Sequence, residues 1–204
     1  MARYQIGIDL AKHKTGWCVI EFGQVVTGYG VENELWDNDI TKMVDKCKKF
    51  INDKLLSYPI GNPESEIMVG IEIGNFGNAN MTCDFNLLAG ILISCFYNSF
   101  PKAELEMKVF PPISWQKFAG IEIGKDTREI CKKKSMEHIT ELDLSDGTED
   151  FVNQLADDEI GSTADFQEFD YEIDDDEADA INIAYYLEKI KGKYGKSKKQ
   201  KKQK

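Results

Sequence analysis

The chain has 204 residues, 42% of them apolar and 11% aromatic, which is enough to bury one sizeable core and favours a single α/β domain. The formal charge of −11 is distributed in blocks: residues 141–179 hold 17 acids and no Lys or Arg, whereas residues 189–204 hold nine lysines and no acid. The first 140 residues carry 16 basic and 18 acidic residues, so the net charge does not exclude a nucleic-acid partner.

The cysteine, histidine and apolar content argues against several other classes of protein. Five widely spaced cysteines form no CxxC pair and there are only two histidines, which argues against a disulfide framework and against a zinc site. No apolar run approaches the ~18–20 residues of a membrane span, and the first residues lead into a strand without the apolar region of a signal peptide. We therefore expect a cytoplasmic protein with no membrane partner.

Three strands, a helix and a fourth strand are predicted in the first part of the chain. Tyr4–Leu10, Gly16–Phe22 and Gln24–Val31 are strand-like runs separated by short turns, which predicts an antiparallel meander. Apolar residues then recur at three and four positions over residues 37–56, the spacing of an amphipathic helix. Ile67–Ile73 is a continuous apolar run, typical of a central strand that is buried on both faces.

The second part of the chain is predicted to be mostly helical. An apolar helix over Thr82–Asn98 precedes a fifth strand over Leu105–Phe110, and helices over Ile113–Ala119 and Asp126–Ile139 follow. A terminal helix over Asp174–Lys191 has an acid-rich first turn that suits the helix dipole.

Composition divides the chain into one domain and two appendages. Residues 1–192 are predicted to form the domain, interrupted at 141–172 by an acidic, partly disordered insertion. Residues 193–204 are predicted to be a Lys-rich, disordered tail. A meander followed by right-handed crossovers gives an α/β fold with a mixed five-stranded sheet and helices on both faces, in which the first and fourth strands can lie side by side.

Four acidic residues are notable for their positions. Asp9 ends the first strand, Glu72 interrupts the fourth, and Asp176 and Asp179 share one face of the terminal helix. Each has an ordinary explanation: a turn residue, an ion pair, and an acidic helix start. If all four converge, they require divalent cations to offset their repulsion, and oxygen ligands without His or Cys favour Mg²⁺ or Mn²⁺. Two such ions about 4 Å apart are a recurring arrangement for phosphodiester hydrolysis.

Four short motifs carry a family resemblance. Asp9–Gly16 has an Asp at the end of the first strand and Thr-Gly opening the second; Gly70–Ile73 contains a strand-four Glu. Asn78–Gly90 has the pattern Asn-Ala…Leu…Gly, and Asp176–Ala180 reads Asp-x-x-Asp-Ala. In this order and on these elements, the motifs resemble those of RuvC-type Holliday junction resolvases, members of the RNase H-like superfamily.

The resemblance implies an RNase H-like fold, a homodimer, and a divalent-metal-dependent, structure-selective endonuclease. Such an enzyme would cut opposed strands of a four-way (Holliday) junction by two-metal hydrolysis, with two ions per site. Carried over residue by residue, the catalytic metal ligands would be Asp9, Glu72, Asp176 and Asp179.

Two departures from the family pattern concern loops next to these acids. Leu10 and Ala11 stand where the family has Pro-Gly, which alters the turn after Asp9. Asn75 occupies the place of the aromatic residue that contacts bases at the junction centre, and Phe76 comes one residue later.

A nuclease also needs contacts to DNA, and most of these go to phosphates. We predict them at two lysines beside Asp9, at the loop aromatic, and in the basic cluster between the fifth strand and the insertion. The predicted residues are Lys12, Lys14, Phe76, Lys117, Lys125, Arg128 and Lys132. Exposed turn lysines, a loop aromatic packed on the core and a solvated helix face are the alternative explanations.

Three other functions share some of these features. A DEDD-type transposase-like strand-transfer enzyme resembles RuvC in the same acids, but an ordinary further domain of ~100 residues is not evident. A nucleotide-binding module of the actin and sugar-kinase kind shares the strand-ending Asp but needs Gly-rich phosphate loops and a second lobe. A non-catalytic DNA-binding relative is the remaining alternative.

Overall fold

A mixed five-stranded sheet forms the centre of the fold, as predicted. The computed structural model describes residues 3–21, 25–56, 65–74, 79–122, 124–141 and 175–200. The strands lie in the order β3-β2-β1-β4-β5. Their bounds are β1 Arg3–Asp9, β2 Lys14–Glu21, β3 Val25–Asn33, β4 Glu66–Glu72 and β5 Glu104–Phe110.

Strand pairing agrees with the predicted topology. β1, β2 and β3 form an antiparallel meander, while β1 pairs with β4 and β4 with β5 in parallel. The middle residues of β1 and β4 are buried throughout, which explains why both appear in the sequence as continuous apolar runs. The parallel pairing of β1 and β4 aligns their carboxyl ends at one rim of the sheet.

Two helices cover one face of the sheet. They are α1, Ile40–Phe50, which continues as a π-helical segment over Ile51–Leu55, and α2, Ala79–Ser99. The side chain of Asp39 accepts a hydrogen bond from the backbone N–H of Thr41 at 2.9 Å and so caps the start of α1. Both helices pack on the apolar side chains that β1 and β4 direct to this face.

The length and apolar character of α2 differ from the expectation that no apolar run approaches the length of a membrane span. Its 21 residues are long and apolar enough to cross a membrane by length and composition. However, Phe85, Leu88, Leu92 and Phe96 are buried in the core cluster that also contains β1 and β4. The packing therefore identifies α2 as a core helix of this domain.

Three further helices lie on the opposite face, which confirms helices on both faces. They are α3 Ile113–Gln116, α4 Arg128–Glu141 and α5 Asp175–Gln200. In α5, the residues predicted to face inward are all buried: Ala180, Ile183, Ala184 and Leu187. This stripe places α5 along β1, β2 and β4.

Two boundaries differ from the sequence prediction, and one predicted segment lies outside the described residues. Helix α5 continues to Gln200 rather than ending at Lys191, so residues 193–200 are helical and not a disordered tail. Lys and Gln are good helix formers, and Gly195, the one glycine of this stretch, does not end the helix. Helix α3 ends at Gln116, and the acidic insertion over 141–172 falls almost wholly outside the described part of the chain.

Two glycines allow α5 to contact the sheet backbone directly. A Cβ atom on Gly7 would lie 2.1 Å from the carbonyl oxygen of Ala180, and one on Gly16 would lie 1.9 Å from that of Asp176. Atoms cannot approach so closely, so any side chain at these two positions would push the helix away from β1 and β2.

We expect the substitution Gly7→Ala to destabilise the protein by about 1–3 kcal/mol or more, because the new methyl group meets helix backbone that cannot yield locally. Lys49→Ala is the control: Lys49 is exposed on α1 and pairs with Asp53 at 2.7 Å, so this change should leave the stability nearly unchanged. Urea unfolding of the three proteins measures both effects. Equal stability of Gly7→Ala and the unchanged protein would contradict the close helix contact.

Candidate active site

The candidate site lies at the rim of the sheet where β1 and β4 end. Asp9 and Glu72 are the last residues of these parallel strands and are partners in register. Gly16 of β2 is the partner of Asp9 on its other side, and the backbone of Asp176 packs on Gly16. Because Asp179 lies one turn further along the same helix, α5 brings its two aspartates to the rim that carries Asp9 and Glu72.

The charges of these carboxylates act on one another. Burial raises the pKa of Asp9 well above its ordinary value, and the carboxylates of Glu72, Asp179 and Asp176 raise it further. Burial also raises the pKa of Glu72 to about 7. The pKa of Asp179 is likewise raised to about 7, mainly by burial, and the charge of Asp176 contributes to the increase. The structure therefore brings the four predicted acids into one shared electrostatic field.

Three of the four carboxylates also have their own hydrogen-bond or ion-pair partner. The indole N–H of Trp115 donates to Glu72, and the hydroxyl of Ser135 donates to Asp179. Lys14 Nζ lies 3.2 Å from a carboxylate oxygen of Asp176. Both hydrogen bonds lower the pKa of the carboxyl that accepts them, and so partly oppose the effect of burial.

These partners determine how the carboxylates point. Among the described residues, no three His, Cys, Asp or Glu side chains are placed so that they could hold one metal ion together. The donor set nevertheless suits a hard divalent cation, since it consists of carboxylate oxygens whose pKa values are raised first by burial and further by one another's charge. Side-chain rotation away from Trp115, Ser135 and Lys14 would be needed to share an ion, and the two-ion site stays a prediction.

A buried polar network supports Asp179 from behind. Asn182 donates through Nδ2 to both the carbonyl and the hydroxyl oxygen of Ser135, at 3.0 and 2.9 Å. Its Oδ1 lies 2.6 Å from Nδ1 of His138, whose ring packs edge-on against Phe118. The network fixes the Ser135 hydroxyl and thereby the direction of the Asp179 carboxylate.

Sequence reasoning did not identify Trp115, Ser135 or Asn182 as parts of this site. Each had a detectable signal. Trp115 follows the strand next to β4 and is buried, so its indole N–H requires an acceptor. Asn182 interrupts the buried apolar stripe of α5, and Ser135 lies one turn before the buried Ile139 on α4. Buried polar residues in apolar stripes generally have partners.

The two lysines beside Asp9 have different surroundings. Lys14 contacts Asp176 and therefore belongs to the site. Lys12 points elsewhere: its Nζ lies 2.5 Å from Asp84 and 4.3 Å from the centre of the Trp36 ring. The sequence placed both lysines next to Asp9 but did not predict this division.

The remaining predicted DNA contacts that the structure describes lie on the α3–α4 side of the molecule. Lys132 forms an ion pair with Asp175, next to the acids of α5. Lys117, Lys125 and Arg128 are exposed, and Lys125 pairs with Glu122 at 2.8 Å. Phe76 lies outside the described residues. Contact of any of these residues with DNA stays a prediction.

Comparison with known sequences gives limited information. No family model matches the chain. An uncharacterized protein of Ureaplasma parvum serovar 3, UU157, is 27% identical over 142 residues, which cover 65% of this chain and 59% of that protein. The chain thus matches less than two thirds of the length of that relative.

Comparison with solved structures identifies the fold. RuvC of T. thermophilus in complex with a Holliday junction substrate superposes with a TM-score of 0.53 at 11% identity, covering 91% of each chain. The yeast mitochondrial Holliday junction resolvase Ydc2 gives 0.54 at 19% identity, covering 89% of this chain and 75% of that one. The fowlpox virus resolvase with Holliday junction DNA gives 0.50 at 13%, covering 93% and 99%. The chain has the RuvC-like resolvase fold of the RNase H-like class.

We expect the metal-free protein to lose stability as the pH is raised from about 5 to about 8. Asp9, Glu72 and Asp179 have pKa values above their unfolded values, so the folded state holds their protons more tightly and loses this advantage as they ionise. Asp9→Asn should flatten the dependence. Urea unfolding in EDTA across this range measures it.

Asp126→Asn is the control for this experiment. Hydrogen bonds from Lys134 and the backbone of Glu122 lower the pKa of Asp126, so its ionised form stabilises the fold throughout this range. The variant should be slightly less stable at every pH without changing the slope. If Asp9→Asn leaves the dependence of stability on pH unchanged, the four acids are not crowded.

Proposed function

We propose that this RuvC-like fold acts as a divalent-metal-dependent, structure-selective endonuclease that resolves four-way DNA junctions. The observation that carries the proposal is the register of Asp9 and Glu72 at adjacent strand ends, with Asp176 and Asp179 supplied to the same rim by α5. Crowded carboxylates that raise one another's pKa values favour binding of a cation, which offsets their repulsion.

Each residue of the site has a chemical task under this proposal. Asp9, Glu72, Asp176 and Asp179 would hold Mg²⁺ or Mn²⁺, two ions per site. When bound, the ions supply activation of a water molecule and stabilisation of the leaving oxygen.

The partners of the carboxylates would position them and the substrate. Trp115 and Ser135 would orient Glu72 and Asp179. A carboxylate that is already held in one orientation loses less conformational freedom when it binds an ion. Lys14 and Lys132 pair with acids of α5 and would hold phosphates of the cleaved strand. Lysine binds phosphate as a compact point charge, without the paired hydrogen bonds of arginine.

Branched DNA is the proposed partner. Two of the solved structures with this fold, from T. thermophilus and fowlpox virus, contain Holliday junction DNA. In this chain, the exposed Lys117, Lys125 and Arg128 lie on the side of the sheet that carries α5, where they could contact phosphates beyond the cleavage site. The structural relatives are resolvases, so they do not favour a transposase or an actin-like nucleotide-binding module. A cytoplasmic location stays a prediction.

A second copy of the chain is the proposed occupant of the exposed face of α2. Asp84 is the single charged residue among the 21 of this helix, although solvated helix faces normally carry several. Leu87 and Tyr97 are 41% and 52% exposed and lie on one stripe with Cys83 and Ser94. An uncharged stripe on one helix can pair with itself across a two-fold axis, which supports a homodimer formed through α2.

Glu72→Gln should reduce Mg²⁺-dependent cutting of a synthetic four-way junction by about 100-fold or more, beyond the 10–100-fold typical of losing an outer-shell partner. Glu66→Gln is the matched control, since Glu66 begins the same strand and pairs with Arg3 at 2.9 Å on the surface. It should cut like the unchanged protein. Cutting that survives Glu72→Gln, or that continues in EDTA, would refute the metal-dependent mechanism.

The double substitution Leu87→Glu/Tyr97→Glu should convert the dimer to monomers, because charges would then face each other across the two-fold axis. Ile130→Glu is the control: this residue is 42% exposed on α4, on the opposite face of the sheet. Sedimentation equilibrium measures the mass of all three proteins. A double variant that sediments like the unchanged protein would exclude α2 as the dimer face.

A further inference from the structure

A pocket of about 280 Å³ opens beside the candidate site. One wall is the turn after β1, which contributes Lys12 and His13, and the other is the segment between β3 and α1, which contributes Trp36 and Asn38. Lys12 follows Asp9 by three residues, so their Cα atoms are at most about 10 Å apart. The pocket therefore shares a turn with Asp9, and a strand bound at the four acids would pass close to its Lys12 wall.

The pocket lining combines an aromatic ring with two ammonium groups and with the carboxylates of Glu34 and Asp37. Trp36 is partly exposed, and Nζ of Lys12 lies 4.3 Å from the centre of its ring. Nζ of Lys46 donates to the backbone carbonyl of Trp36 at 3.2 Å and also lines the pocket. Because Nζ of Lys12 lies over the Trp36 ring, a base can stack there only when Lys12 moves aside. The uncovered indole face and the two ammonium groups would then suit a nucleobase with its phosphate, since bases stack on aromatic rings and Lys pairs with phosphate.

The walls of the pocket are held in place without a ligand. Glu34 adopts a left-handed backbone conformation, with φ of 57°, and its N–H donates to the carbonyl of His13 at 2.9 Å. Lys46 also pairs with Asp37 at 3.0 Å, which fixes the segment around Trp36. A non-glycine residue in this region of φ is costly and is retained where the surroundings impose it. These walls are pre-organised and lose little entropy on binding, whereas the side chain of Lys12 has to move.

We propose that this pocket takes one unpaired nucleobase of the strand being cut, stacked on Trp36, with Lys12 exchanging Asp84 for the adjoining phosphate. The inference rests on the proposed function, which it extends to a subsite that recognises an unstacked base. The volume is just below the ~300–1,000 Å³ of small-molecule pockets and suits a single base rather than a duplex. A free nucleoside triphosphate is disfavoured, because the nearby acids repel its charge more than that of a phosphodiester.

Asn38 gives the pocket a means of discrimination. It is exposed at the pocket wall, and its amide can both donate and accept hydrogen bonds along a base edge. Stacking tolerates any base, whereas an amide contact favours one edge pattern over another. The subsite would therefore bind every base and prefer some.

The test uses junctions with 2-aminopurine, or an abasic site, at each position flanking the cleaved phosphate. At one position, binding of the full-length protein should change the 2-aminopurine emission, and Trp36→Ala should abolish that change while Trp36→Phe retains it. Single-turnover cleavage of the intact junction should fall about 5–100-fold in Trp36→Ala, as expected for one stacked base. Lys49→Ala, an exposed α1 residue paired with Asp53 outside the pocket, should behave like the unchanged protein.

The abasic junction makes the test independent of how the variants fold. An abasic site at the same position should slow the unchanged protein by a similar factor, and Trp36→Ala should then cut intact and abasic junctions alike. Equal cutting of intact and abasic junctions by the unchanged protein would overturn the inference, even if Glu72→Gln is inactive as the proposed function requires. If the unchanged protein cuts nothing, a Trp36-dependent emission change still supports the pocket, and its absence refutes it.

Discussion

The direct contact between the backbone of α5 and that of β1 and β2 is the constraint on which the rest of the structure depends. Gly7 and Gly16 have no side chain that would separate the helix from the strands, so the backbone of α5 lies directly against that of the sheet. Only at that distance does the first turn of the helix reach the strand ends. Asp176 and Asp179 then lie at the rim that carries Asp9, and the stripe of small residues along α5 is a requirement of the site as much as of the core.

A second constraint follows from the first, because charge brought together must be stabilised. Ionising one of these acids makes ionisation of the next more costly, and burial adds to the cost. Trp115, Ser135 and Lys14 offset part of it by donating to individual carboxylates. The same donors keep the carboxylates apart. The protein thus stabilises three of the four acids through separate partners, and binding of an ion would replace these individual contacts with a common one.

Much of the fold could be predicted from the sequence, because it depends on periodicity and on the rules of strand connection. The buried runs around Asp9 and Glu72 and the right-handed crossovers were sufficient to place β1 beside β4. The partners within the site were not predictable. Trp115 lies 43 residues from Glu72, and Ser135 lies 44 from Asp179, so neither pair leaves a local pattern. The pairing of Lys12 with Asp84, which are 72 residues apart, was not predictable for the same reason. The end of α5 was misjudged because charge was taken to indicate disorder, whereas Lys also has good helix propensity.

The late position of α5 in the chain has a consequence for biosynthesis. Asp175, the first residue of α5, follows Glu72 by 103 residues, so two of the four acids emerge from the ribosome long after the strands that receive them. Contacts between such distant segments form late, after the local meander and helices. A nascent or truncated chain that lacks α5 would expose the groove between Gly7 and Gly16 but hold only half of the acids. Assembly of the four-acid rim is therefore linked to completion of the fold, and a chain without α5 would lack two of the proposed metal ligands.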